Sequence, residues 1–120
     1  MMVTKRTATR LAAYERRYRG LAQQLADIGY IASGSIAQRF NQCGKPNCAC
    51  HGDPPVPHGP YWQWTAKIDG KTVNRRLNER EAQLYTEWIA NDRKARALIT
   101  KMRETASKAT ELILNDPTQV

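Results

Sequence analysis

Between Cys43 and Trp64 the chain reads CGKPNCACHGDPPVPHGPYWQW, and no other stretch constrains the fold as strongly. All three cysteines lie here, at Cys43, Cys48 and Cys50, with both histidines, His51 and His58, and five of the six prolines. No long apolar run accompanies them, so the cysteines do not read as core filler. Thiolate and imidazole are zinc donors, and three Cys with one His make a common closed, tetrahedral structural site. The expected ligands are Cys43, Cys48, Cys50 and His58, with Zn2+ as the cofactor. The spacing C-x4-C-x-C-x7-H lacks the C-x2-C pairs of common zinc fingers. Lys45-Pro46-Asn47 still supplies turn residues for a chelate loop. His51 competes as fourth ligand, but it directly follows Cys50, and neighbouring side chains seldom point at one ion. His58, at the far end of the proline-rich loop, is favoured. Three reduced cysteines without metal is the bland alternative. A disulfide framework fits poorly, because three is an odd number and no secretion signal is evident.

A length of 120 residues implies a single domain with a small core. A structural metal supplies folding free energy to such a chain. The net charge of +8 suits a polyanionic partner. It is unevenly spread. Residues 1–32 carry six Lys/Arg against Glu15 and Asp27, and residues 33–77 carry six against Asp53 and Asp69. Residues 78–120 carry seven of each sign. No apolar stretch approaches the roughly 20 residues of a membrane span, and the N-terminus has no apolar signal region. The expectation is a cytoplasmic protein without a membrane partner. Met1–Arg6 and Pro117–Val120 read as frayed ends.

Residues 7–28 read as a helix, with Leu11, Tyr14, Tyr18, Leu21, Leu25 and Ile28 at alternating steps of 3 and 4. Gly29 is placed to end it as a left-handed C′ residue. Ser33–Asn41 reads as a strand, with Ile36 and Phe40 on one face and Ala37 and Arg39 on the other. Tyr61–Ile68 alternates, and Asp69-Gly70 signals a two-residue type I′ turn into Lys71–Leu77. That turn fixes a register. Ile68, Ala66, Trp64 and Trp62 face Lys71, Val73, Arg75 and Leu77 on a mostly apolar face, where Arg75 is expected over Trp64. Lys67, Thr65 and Gln63 face Thr72, Asn74 and Arg76 on a polar, basic face. Asn78 and Glu81 resemble a capping box. The last helix then runs from Glu79 to about Asn115, along a seam of Tyr85, Trp88, Asp92, Ala95, Ile99 and Met102 that continues through Ala106, Ala109 and Ile113. The fold class is α+β: a small three-stranded antiparallel sheet with a zinc-binding loop (33–77). It is flanked by an N-terminal helix (7–28) and a long C-terminal helix (78–115), which form a helical hairpin or coiled coil.

A glycine-initiated strand, C-G-K-P-N-C-x-C, H-G-P-Y-W, a hairpin and a helix with E-A-x-L-Y-x-E-W-I together resemble one family. It consists of small bacterial and archaeal proteins catalogued as a domain of unknown function. The resemblance covers residues 33–105 and is carried by Cys43, Cys48, Cys50, His58, Gly59, Pro60 and Tyr61. It implies metal binding and a setting beside transposases and other mobile-element genes. The layout alone, three strands then a helix with a basic sheet face, is similar to the arm-binding domains of tyrosine integrases and the plant AP2 domain. That likeness is associational.

The leading functional reading is a zinc-stabilised, non-enzymatic nucleic-acid-binding protein, with duplex DNA as partner. Its contact residues would be Lys45, Gln63, Lys67, Lys71, Asn74 and Arg76, flanked by Arg39 and Arg80. The alternative is a protein-interaction module whose helices form a homodimer or dock on a partner such as a transposase. An enzyme is disfavoured. A catalytic zinc site keeps an open position beside an acid or base, and residues 33–77 offer only Asp53 and Asp69. There is no glycine-rich phosphate loop, nucleophile elbow or H-E-x-x-H.

Overall fold

The computed structural model describes residues 4–116. Helix α1 (Lys5–Ala26) is followed by strand β1 (Ser35–Asn41), a single 3-10 turn (Ala49–His51), strands β2 (His58–Ile68) and β3 (Lys71–Leu77), and helix α2 (Glu79–Leu114). This is the expected α+β architecture. The described residues form two compact units: Ile31–Ala90, and a second made of the chain up to Tyr30 together with the chain from Asn91.

In the first unit the three antiparallel strands stand in the order β1-β2-β3. Asp69 and Gly70 both have positive φ, 51° and 78°, as the two central residues of a type I′ turn require. The turn sets the expected register, with Trp64 opposite Arg75 and Gln63 opposite Arg76. On the other side of β2, Ile36 pairs with Trp64 and Ala37 with Gln63. Successive side chains of a strand alternate between faces, so one face collects Ile36, Trp62, Trp64, Ala66 and Leu77. It packs on Ala82, Tyr85 and Ile89 of α2. Burying a side chain such as Leu77 contributes about 2 kcal/mol. Tyr85 continues the cluster, its ring centroid 5.1 Å from both Trp64 and Trp88. The Trp64 indole N–H is buried without cost because it donates to the Ser33 carbonyl at 2.8 Å. Gly34 makes the entry to β1 possible. Its φ is +98°, and a Cβ there would lie 2.4 Å from the Thr65 carbonyl oxygen.

Three local expectations change here. Arg75 pairs with Glu81 at 3.5 Å, and the cation–π contact forms on the opposite face, with Arg76 4.4 Å above the Tyr61 ring. Phe40 does not share the core with Ile36. The pairing slips between Arg39 and Asn41, and Phe40 at this irregularity is exposed. Strand β2 begins at His58, earlier than the alternation alone indicates.

In the second unit α1 starts on Thr4, whose hydroxyl accepts from the Thr7 N–H at 3.1 Å. Lys5 and Arg6 are therefore helical and not frayed; residues 1–3 and 117–120, where the remaining frayed-end expectations fall, lie outside the described residues. The helix ends at Asp27, with right-handed backbone, and Gly29 is not a left-handed cap. Its missing Cβ instead leaves room for Asn91, whose Nδ2 would come within 3.3 Å of one. That amide donates to the Tyr30 carbonyl at 2.8 Å. At the other end, Tyr14 and Tyr18 share an apolar cavity of about 200 Å³ with Ala106, Ala109 and Ile113. The two helices are thus antiparallel within one chain.

The seam of α2 is rotated from the expected one in this unit. Ala95, Leu98 and Thr105 are buried, with Asn91, Met102, Ala109 and Leu112 half-buried between and beyond them. Ile113 is exposed. Asp92 stands beside the seam, paired with Arg96 at 2.9 Å. Thr105 tolerates burial because its hydroxyl donates to the Lys101 carbonyl at 2.9 Å. Among the described residues no helix is long and apolar enough to cross a membrane.

Candidate metal centre and open sheet face

The four donors come from the ends and the middle of the loop between β1 and β2. Cys43 lies just beyond β1, Cys48 caps the 3-10 turn, Cys50 sits inside it, and His58 opens β2. Their ligand atoms all lie within 4.8 Å of one another. Zinc holds thiolate at about 2.3 Å and imidazole at about 2.0 Å in a tetrahedron, which sets sulfur–sulfur edges of about 3.8 Å and sulfur–nitrogen edges of about 3.5 Å. The Cys43 and Cys50 sulfurs are 3.7 Å apart, and the Cys48 sulfur is 3.1 Å from His58 Nε2. Both separations lie near the edges of such a tetrahedron, so the four donors could hold a tetrahedral ion.

The loop is held in this shape by its own backbone. Cys48 N–H donates to the Lys45 carbonyl at 3.1 Å, His51 N–H to the Cys48 carbonyl at 3.0 Å, and Val56 N–H to the Ala49 carbonyl at 2.9 Å. The Cys43 N–H donates to the Cys50 sulfur at 3.3 Å, and the Gln42 amide donates to the Cys50 carbonyl at 2.8 Å. An N–H aimed at sulfur favours the thiolate, which is the form a metal binds. His51 turns away from the cluster, its Nε2 2.6 Å from the Cys43 carbonyl oxygen. The chain returns to the sheet through Gly59. Its φ is +127°, and a Cβ there would meet the Arg39 carbonyl oxygen at 2.7 Å.

The thiols are electrostatically unequal. Cys48 is pulled down to about 6, first by the Cys50 backbone N–H, then by the Cys50 and Cys43 thiols, with burial opposing. Cys50 is fully buried, and loss of water pushes its thiol up.

The second candidate surface is the sheet face turned away from α2. It carries Ser35, Ala37 and Arg39 from β1, Tyr61, Gln63, Thr65 and Lys67 from β2, and Thr72, Asn74 and Arg76 from β3. Lys67, Asn74 and Arg76 are exposed and Gln63 is half-buried. Thr65 donates to Asn74 across the strands at 2.9 Å. Beside Arg76 and Tyr61, a cleft of about 540 Å³ runs past Pro60, Trp62 and Glu79. Two expected contact residues stand elsewhere. Lys71 pairs with Ile68 at the hairpin tip, on the side of Val73, and Lys45 is exposed in the cysteine loop. Tyr61 and Arg39 are the members that the expected set lacks or leaves at the flank. Tyr61 was readable from its alternation with Gln63 and Thr65. The neighbours supplied by β1 were not, because a long loop rather than a tight turn sets that register.

A small α+β chain with a three-cysteine, one-histidine cluster at the base of its sheet is the class these features define. The chain belongs to the DUF6788 family, a domain of unknown function, whose model matches residues 11–86. No curated protein and no solved structure matches it significantly.

Proposed function

We propose that this is a zinc-stabilised, non-enzymatic nucleic-acid-binding protein that engages duplex DNA through the open face of its sheet. The observation that carries this reading is the asymmetry of the sheet. One face is packed against α2. The other presents Arg39, Lys67 and Arg76 among hydrogen-bonding Gln63, Thr65 and Asn74. Cations supply phosphate affinity and position, while amide and hydroxyl side chains can meet base edges.

The metal's role is structural. Three thiolates and one imidazole favour zinc among available divalent ions, and four protein donors leave no open position for a reacting water. Bound zinc would tie the end of β1 to the start of β2. It would thereby hold the 42–57 loop, whose length would otherwise cost closure entropy.

Salt-dependent binding measured by fluorescence anisotropy tests the reading. Affinity should fall with a log–log slope of about −0.9 per phosphate neutralised. Lys67→Ala with Arg76→Ala should shrink that slope by about one unit for each phosphate left without its cation, with the fold intact. A double variant that binds like the parent at every salt concentration removes the sheet face from the function. A parent that binds neither duplex nor single strands at low salt removes nucleic acid altogether.

A further inference from the structure

The helical unit has a flank of its own that the sheet does not explain. Written as a heptad, the α1 seam places Leu11, Tyr18 and Leu25 at a, with Tyr14 and Leu21 at d. The observed α2 seam places Ala95, Met102 and Ala109 at a, with Asn91, Leu98 and Thr105 at d. Two antiparallel helices bring their e positions together along one side of the seam and their g positions together along the other. The apolar cavity between the helices shows which side is which. Glu15 of α1 and Ala106 and Ile113 of α2 line it, and all three occupy e.

The g flank opposite holds Arg10, Arg17 and Gln24 from α1, and Lys94, Lys101 and Lys108 from α2. All six are exposed, and no acid stands among them. Among the described residues none of the five cations enters an ion pair. The two pairs in this unit, Arg19 with Glu15 at 2.6 Å and Arg96 with Asp92 at 2.9 Å, lie on the e side. Facing g positions ordinarily carry opposite charges that attract across the seam. Here they carry like charges that repel unless an anion is supplied. The three lysines repeat every seven residues, a rise of about 10 Å, so they present a straight row of ammonium groups about 20 Å long.

We infer that this g flank is a second binding surface for the phosphate backbone of a nucleic acid, built from residues outside the sheet. The inference rests on the nucleic-acid reading above and adds a second contact surface to it. The lysine ammonium groups are point charges without the planar fork of a guanidinium, so the lysine row contributes affinity and counterion release rather than bidentate base contacts.

The test uses the full-length, zinc-loaded protein and a fluorescent duplex of mixed sequence, with salt varied from about 50 to about 200 mM. Lys94→Gln, Lys101→Gln and Lys108→Gln are combined in one variant. A charge-matched control combines Arg16→Gln, Arg93→Gln and Arg103→Gln, which remove three cations away from the g flank. The g variant should show a slope smaller by about 0.9 for each phosphate it no longer neutralises, and the control should bind like the parent. Without nucleic acid, the g variant should melt no lower than the parent, because removing the lysines relieves repulsion. A g variant that binds like the parent, or a control that weakens binding equally, overturns the inference. If the Lys67 and Arg76 double variant abolishes binding while the g variant leaves it unchanged, only the sheet contacts nucleic acid and the proposed function survives. A parent without binding at low salt sinks both.

Discussion

Cys48 and Cys50 sit two positions apart and differ in what surrounds them. The Cys50 N–H and the neighbouring thiols draw Cys48 down to about 6, whereas burial pushes Cys50 up. A lowered pKa means that in reduced, metal-free protein Cys48 is mostly thiolate above about pH 6. Iodoacetamide near neutrality should therefore label Cys48 well before Cys50, and labelling of Cys48 should fade as pH drops below about 6. Equal rates at the two sites, followed by peptide mass mapping, would contradict this. Metal should reverse the picture. Freshly purified, reduced protein is expected to carry about one zinc per chain and to resist alkylation. Because Cys50 must shed its proton to bind, zinc should be lost as the solution is acidified. Metal analysis far below one equivalent would remove zinc from the account.

At the scale of elements, each boundary answers to a local device that can be cut. The Asn78 side chain accepts from the Glu81 N–H at 2.8 Å, and Glu81 accepts from the Asn78 N–H at 3.1 Å. Asn78→Ala should cost about 1 kcal/mol of stability, read as a lower denaturation midpoint. The helical seam offers a sharper test. Leu98 is buried whereas Ile99 is half-buried, so Leu98→Ala should cost about 2–5 kcal/mol and Ile99→Ala clearly less. The reverse order would restore the seam expected from the sequence. Both seams have alternating steps of 3 and 4, and both contain Ala95, Met102 and Ala109. Periodicity could not choose between them, because Thr105 counts as polar in sequence while its hydroxyl is satisfied inside the helix. The register of the hairpin, by contrast, was legible. Asp69-Gly70 dictates a turn geometry, the turn dictates the register, and alternation assigns the faces. The cysteine loop lies between these extremes. That His58 rather than His51 joins the three cysteines was readable, but the 3-10 turn and the contact of His51 with the Cys43 carbonyl depend on tertiary approach.

For the whole molecule, metal and core are expected to make separable contributions. Stripping zinc with a chelator should raise amide exchange in residues 42–57 and at the first residues of β2, while the amides of α1 keep their protection. Loss of protection throughout the chain would mean that the metal is required for the global fold. The open sheet has a further consequence. Strands β1 and β3 are both outer strands, each with backbone groups available to another chain. An edge of this kind invites pairing between copies unless something discourages it. On β3 the deterrent is Lys71, Arg75 and Arg76, all exposed. Two such edges brought side by side would confront cation with cation. Only Arg75 has an internal counter-ion, Glu81 at 3.5 Å. Replacing Lys71 and Arg76 with threonine should leave the hairpin intact and lower the concentration at which the protein self-associates, a shift visible by light scattering. On this account the charge on β3 also keeps the chain soluble at high concentration: it makes an edge that could template a fibril unattractive to its own kind.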